Sequence, residues 1–259
     1  MIAVRCDKCR KTFFVAEEER AAVKVCPYCR AEIVEEPLGG EIQFVGQSPE
    51  GEAKGADKTA AENFILKPTK DNSGYIVVKG KNKKVAGIVI PDTFQGKPIV
   101  EIEEMAFCNE RNAWKHLMSI VIGGKVKSIG QSAFYLCRGL VNVVIPESVK
   151  TIGGGAFECC DNLPSIEIPD GVTSIGEYAF NGCSGLKRVV VGGKVASVGR
   201  MAFNGCDSLE EVYYRSGMPI TIADGNDCLS KATKYAYSES EPKWGGNYWH
   251  YVDGVATKW

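Results

Sequence analysis

The sequence contains no run of about 18 apolar residues, so no membrane-spanning helix is expected. It also has no charge excess. The 31 Lys and Arg stand against 32 Asp and Glu, a formal net charge of −1, which excludes the global basic field that draws in nucleic acid. Histidine is nearly absent: His116 and His250 are the two present, and neither belongs to a Ser/His/Asp set. There is no phosphate-binding loop and no unusual carboxylate pair. These absences predict a protein that is not an enzyme. The opening MIAVRCDKCRKTFF lacks the uninterrupted apolar core and small-residue cleavage site of a secretory signal. What is plentiful is glycine (29) and cysteine (11). So many thiols without an export signal predict a reducing, cytoplasmic compartment in which they bind metal or pack as small apolar groups.

The first 36 residues hold two C-x2-C pairs, Cys6/Cys9 and Cys26/Cys29, spaced C-x2-C-x16-C-x2-C. CPYC alone also reads as a redox dithiol. A low-pKa dithiol, however, needs a helix N-terminus within a βαβ context, and the flanking sequence leaves no room for one. Two thiolates from each pair make a tetrahedral four-sulfur site, with residues 12–15 and 22–25 as a hairpin between them. A rubredoxin-like iron site has the same donors and stands as an alternative. The spacing resembles a zinc ribbon, with Arg10 and Arg30 where such knuckles often carry Gly. Four cysteines close the coordination sphere, so the expected cofactor is one structural zinc ion. This segment balances seven Lys/Arg against seven Asp/Glu, so a nucleic-acid footprint is not expected. Residues 37–63 are polar and small and read as a flexible linker.

From residue 64 the chain repeats itself. Ala-Phe recurs at 106–107, 133–134, 156–157, 179–180 and 202–203, the last three intervals being 23 residues. Cys137, Cys160, Cys183 and Cys206 each follow the Phe by three; Leu140, Leu163, Leu186 and Leu209 follow it by six. Gly130, Gly153, Gly176 and Gly199 form another column, where a tight turn with positive φ is expected. The first copy is degenerate, with Glu103 in the Gly column and four extra residues before Leu117. Such a period fits stacked coils, each with a short strand, a second extended piece and a short helical stretch bearing Ala and Phe. A residue recurring once per coil stacks on itself, so the Phe and Cys columns are core rather than sites. Phe157→Ala should cost about 3–5 kcal/mol.

The frame I-P-x-x-V-x-x-I-G-x-x-A-F-x-x-C-x-x-L resembles the BspA-like (type 5) leucine-rich repeat family of bacteria. That resemblance implies an α/β repeat fold: a right-handed solenoid with short parallel strands and short helical turns, here preceded by the zinc ribbon. It spans residues 64–259, with an N-terminal cap at 64–105, repeats at 106–215 and a C-terminal cap at 216–259. Residues 75–78 and 85–91 look like the cap hairpin of that family. The aromatic tail 232–259 is similar to its C-terminal segment, with Asp253-Gly254 as a hairpin turn. The family implies protein binding rather than catalysis.

Strand alternation places Val121, Val144, Glu167, Val190 and Tyr213 in one outward column, flanked by Ser119, Asn142, Ser165, Arg188 and Glu211. Strands about 4.8 Å apart make this a stripe roughly 20 Å long. Three outward Val exceed what a solvated face requires, although β-propensity on a partly covered sheet is an alternative reason for them. The expectation is a non-catalytic scaffold that binds a protein partner on this stripe, with Val144→Lys and Val190→Lys leaving the fold intact. An adhesin-like binder of host or bacterial proteins, exported by an unrecognised route, is the alternative.

Overall fold

The computed structural model describes residues 2–5, 12–15, 63–81, 84–109, 114, 116–215, 221–238, 247–252 and 255–258. Near the start, β1 (Ile2–Arg5) and β2 (Thr12–Val15) form an antiparallel pair in which Arg5 faces Thr12. Strand 12–15 is therefore found, paired with β1; residues 22–25, its expected hairpin partner, lie outside the described residues. Cys6, Cys9, Cys26 and Cys29 lie outside the described residues.

The rest is a parallel-strand solenoid. After β3 (Phe64–Pro68), β4 (Tyr75–Gly80), β5 (Gly87–Val89), β6 (Thr93–Phe94) and β7 (Lys97–Ile102), each coil gives one strand to each of two sheets. On the first face lie β8 (Ser119–Val121), β10 (Asn142–Val144), β12 (Ser165–Ile168), β14 (Arg188–Val191) and β16 (Glu211–Tyr214). On the second lie β9 (Ser128–Ile129), β11 (Thr151–Ile152), β13 (Ser174–Ile175), β15 (Ser197–Val198) and β17 (Thr221–Ile222). One-turn helix α1 (Asp227–Lys231) then leads to β18 (Thr233–Tyr237), β19 (Tyr248–Val252) and β20 (Val255–Lys258). The second-face strands run in the order β17-β15-β13-β11-β9-β7-β4-β3. The first face divides into β10-β8-β5 and β12-β14-β16-β18-β19-β20. Proline explains the division. At the rung where Val141, Lys187 and Glu210 each donate an N–H to the coil before, the fourth coil has Pro164, which has none to give.

Three expectations need correction. The stretch expected to be helical is a stack of turns. Its amide groups are spent between coils: Phe107, Phe134, Phe157 and Phe180 donate N–H to the carbonyls of Ala133, Ala156, Ala179 and Ala202 at 2.7–2.8 Å. Amides so used cannot make the i→i−4 bonds of a helix. The glycine column does not have positive φ. It is required by close approach, because a Cβ on Gly176 would lie 2.5 Å from Gly154 N of the coil before. The left-handed positions lie elsewhere in the turns, at Ser132, Gly155, Tyr178 and Met201, and again at Leu136, Cys159, Gly182 and Gly205. Finally, the N-terminal hairpin is β3–β4; β5 belongs to the other sheet and pairs with β8.

The core follows the period. Phe107, Phe134, Phe157, Phe180 and Phe203 are all buried, with successive rings stacked at 5.1–5.4 Å. Each ladder thiol donates to a backbone carbonyl of the coil before: Cys137 Sγ lies 3.2 Å from Phe107 O, and Cys183 Sγ 3.2 Å from Phe157 O. That weak bond gives the column a reason to hold Cys rather than Ala. Both ends of the Phe stack are closed. Phe64 and Trp114 meet Phe107 edge-on at 6.1 and 5.3 Å. At the far end the Asn226 side chain takes the place of a next coil, with Oδ1 accepting the Phe203 N–H at 2.9 Å and Nδ2 donating to Gly199 O at 3.0 Å.

Candidate binding face

Parallel pairing sets the predicted columns in register. Val121 pairs with Val144, Glu167 with Val190, and Val190 with Tyr213; Ser119 pairs with Asn142, Ser165 with Arg188, and Arg188 with Glu211. The column begins one coil earlier than the sequence reading placed it, at Val89, and runs one further, to Tyr235. Val144, Val190 and Tyr213 stand outside the main core, as outward residues should.

Exposure differs from the expectation. Val89 is 52% exposed and Val121 half-buried, but Val144, Val190 and Tyr213 retain only 1%, 6% and 0%. Lysine at Val144 or Val190 would therefore bury an ammonium, and the double substitution is not neutral for folding. Asn142, Glu167, Arg188 and Glu211 are half-buried, Ser165 is exposed and Ser119 is buried. Val190 and Tyr213 form a small outer cluster with Tyr235 and Tyr237. Tyr213 and Tyr235 stack at 4.8 Å, and the Arg188 guanidinium lies 5.4 Å from the Tyr213 ring centre.

Two charged groups reach across this face from elsewhere. Arg215, 11% exposed, bonds Glu167 two strands back, meets Asp170 at 3.2 Å and approaches Glu147 at 3.9 Å. Lys258, on β20, pairs with Glu211 and lies 5.0 Å above the Tyr235 ring. Burial alone would raise the Glu211 carboxyl, but hydrogen bonds from Lys258 and Tyr213 and the charge of Arg188 hold it below the usual value. Burial, with the bond to Glu211, pushes the Tyr213 hydroxyl up to about 12. Sequence reasoning missed Arg215 as a contributor, although a signal existed. It stands in the column otherwise filled by Gly123, Pro146, Pro169 and Gly192.

Among the described residues nothing resembling a catalytic constellation accompanies this face. Burial pushes the Cys183 thiol up to about 12 and raises Cys137, Cys160 and Cys206 likewise, so the ladder holds thiols rather than nucleophilic thiolates. Among the described residues no cluster of His, Cys, Asp or Glu could hold a metal ion, and no helix is long and apolar enough to cross a membrane.

A family model for the BspA type leucine rich repeat region matches residues 100–224 in six copies. Residues 100–224 are thus similar to BspA-type leucine-rich repeats. Six copies are one more than the five Ala-Phe pairs of the repeats. Two solved structures extend the match. A leucine-rich repeat protein of T. pallidum is 26% identical with a TM-score of 0.56, over 68% of this chain and 85% of that one. A leucine rich cell surface protein of Faecalibacterium prausnitzii is 27% identical with a TM-score of 0.52, over 76% of this chain and 56% of that one. No curated protein matches the sequence. A leucine-rich repeat scaffold fits a protein-binding role.

Proposed function

We propose that this protein is a non-catalytic scaffold that binds another protein through the outer face of its first-face strands. The observation that carries the reading is the in-register apolar column Val89–Val121–Val144, outside the main core and open at its first rung. The contact then centres on Val89, Val121, Asn142 and Ser165. Glu167, Val190, Tyr213, Arg188 and Glu211 form the covered part, which shapes the edge of the site and stiffens it. Asn142→Arg with Ser165→Arg changes two side chains that are not deeply buried. The double variant should retain the fold by circular dichroism while losing partners captured by the wild-type chain in quantitative mass spectrometry. Undiminished capture would refute the face.

The zinc reading belongs to the same proposal. Cys6, Cys9, Cys26 and Cys29 would hold one structural zinc ion. The β1–β2 register supports this, because residues 6–11, with the first C-x2-C, connect two paired strands. A closed four-thiolate site supplies folding energy and leaves no position for substrate.

One observation favours a second reading, that of a surface binder rather than a cytoplasmic scaffold. The F. prausnitzii protein of similar fold is described as a cell surface protein. Protease treatment of intact cells separates the two, since only a surface protein is cleaved.

A further inference from the structure

The first-face ladder is interrupted between β10 and β12, and the chemistry of that rung differs from its neighbours. At the other rungs two successive amides converge on one carbonyl of the strand before: Val141 and Asn142 on Met118 O, Lys187 and Arg188 on Pro164 O, Glu210 and Glu211 on Lys187 O. The corresponding pair at the interruption is Pro164 and Ser165. Pro164 has no N–H, and among the described residues Ser165 N–H makes no bond to Val141 O. Ser165 is exposed and Val141 half-buried, so water can meet the groups that the sheet leaves over.

The same two coils are joined elsewhere along their length. On the second face Thr151 pairs with Ser174 and Ile152 with Ile175; in the turns Gly155 and Phe157 donate N–H to Glu177 O and Ala179 O, each at 2.8 Å. Beside the interruption the straps are side chains. Upstream, Asn162 Nδ2 donates to Arg138 O at 2.9 Å, whereas one coil later the backbone N–H of Gly185 donates to Asp161 O; Arg138 also pairs with Asp161. Downstream, the Glu147 carboxylate accepts Gly171 N–H at 3.1 Å and lies 3.9 Å from Arg215. Arg138 and Glu147 are largely exposed, and exposed ion pairs hold weakly and fade with salt.

A stack bonded on one face and open on the other yields most easily by bending about the bonded face. We infer that the β10–β12 seam is a flexing point built into the solenoid: the coils on either side tilt about the continuous second face, which opens and closes the first face between Val144 and Glu167. Val143 and Ile166 stay buried through the seam, and keeping them from water limits the motion to bending rather than separation. The seam crosses the proposed binding face, but the inference concerns the chain alone and stands or falls without a partner.

The test compares spin-label distance distributions in the full chain. Labels attach through ketone-bearing unnatural residues, so that none of the eleven cysteines is modified. One pair replaces Met118 and Lys187, exposed positions three coils apart on the first face and on opposite sides of the seam. The other replaces Lys127 and Ala196, exposed and equally far apart along the second face. The first-face distribution should be the broader. Pro164→Ala supplies the missing N–H and should narrow it towards that of the second face. Arg138→Ala with Asn162→Ala removes the upstream straps and should broaden it further. Hydrogen exchange at the Ser165 amide should be at least about tenfold faster than at Lys187, whose N–H meets Pro164 O at 2.9 Å. Equal widths on the two faces, a first-face width that neither variant moves, or Ser165 exchange as slow as that of Lys187 would overturn the inference.

Discussion

Replacing Asn226 tests how the repeat ladder ends. Each Phe N–H from Phe107 to Phe180 is met by the following coil, and Phe203 is met by the Asn226 side chain, which is 3% exposed. Asn226→Ala leaves the Phe203 N–H without an acceptor in a buried setting and withdraws the donor from Gly199 O. A third bond, to Ala223 O, lies at an exposed residue that water can reach. At about 1–3 kcal/mol for a deeply buried unmet group and less for a hydrated one, the expected loss is about 2–4 kcal/mol. Asn226→Asp sharpens the point. One carboxylate oxygen still accepts from Phe203, but the other faces two carbonyl oxygens, which favours the protonated acid. The folded pKa is then raised above the unfolded value of about 3.9. Stability from such a group is fully present below the unfolded pKa and is lost as pH rises through the folded one. The deficit of Asn226→Asp relative to wild type should therefore be small near pH 4 and grow towards pH 7. Urea unfolding at the two pH values measures it, and hydrogen exchange at the Phe203 amide reports the site itself. A loss under about 0.5 kcal/mol for Asn226→Ala, or a deficit for Asn226→Asp that ignores pH, would refute the capping argument.

Three other predictions address different parts of the molecule. Gly176→Ala forces a Cβ to 2.5 Å from backbone and should destabilise far more than Gly154→Ala, whose Cβ would meet Glu177 O at 3.2 Å; equal melting temperatures would contradict the close-approach account. Arg215→Ala leaves Glu147, Glu167 and Asp170 without their shared cation. Because these carboxylates keep considerable exposure, the loss should be about 1–2 kcal/mol, and added salt should shrink it. Elemental analysis of the purified chain should find one equivalent of zinc, and Cys6→Ser with Cys26→Ser should abolish it; retained metal in the double variant would remove the ribbon from consideration.

The repeat was readable because residues returning once per coil stack upon their own copies. That reasoning placed the Phe, Cys and Leu columns inside, and all are buried. It also set the outward column in register, since a 23-residue period makes each strand partner predictable. The helical reading of the Ala-Phe stretch failed because local propensity cannot show where amide groups are spent, and here they are spent on the next coil. The glycine column was found, but its cause was misjudged: a positive φ is a local property, whereas backbone contact between coils is not.

Sequence alone determined a coil of 23 residues, its core columns and the direction each strand residue faces, because these follow from period and alternation. Only the tertiary structure decided which outward positions remain open. Arg215 reaches Glu167 across 48 residues of chain, and Lys258 reaches Glu211 from the last strand. Neither contact recurs with the repeat; the break in the Gly/Pro column marks Arg215, but nothing in the period names the carboxylates it reaches. Both contacts lie across the face, and they bear on how much of it is left open to the proposed partner.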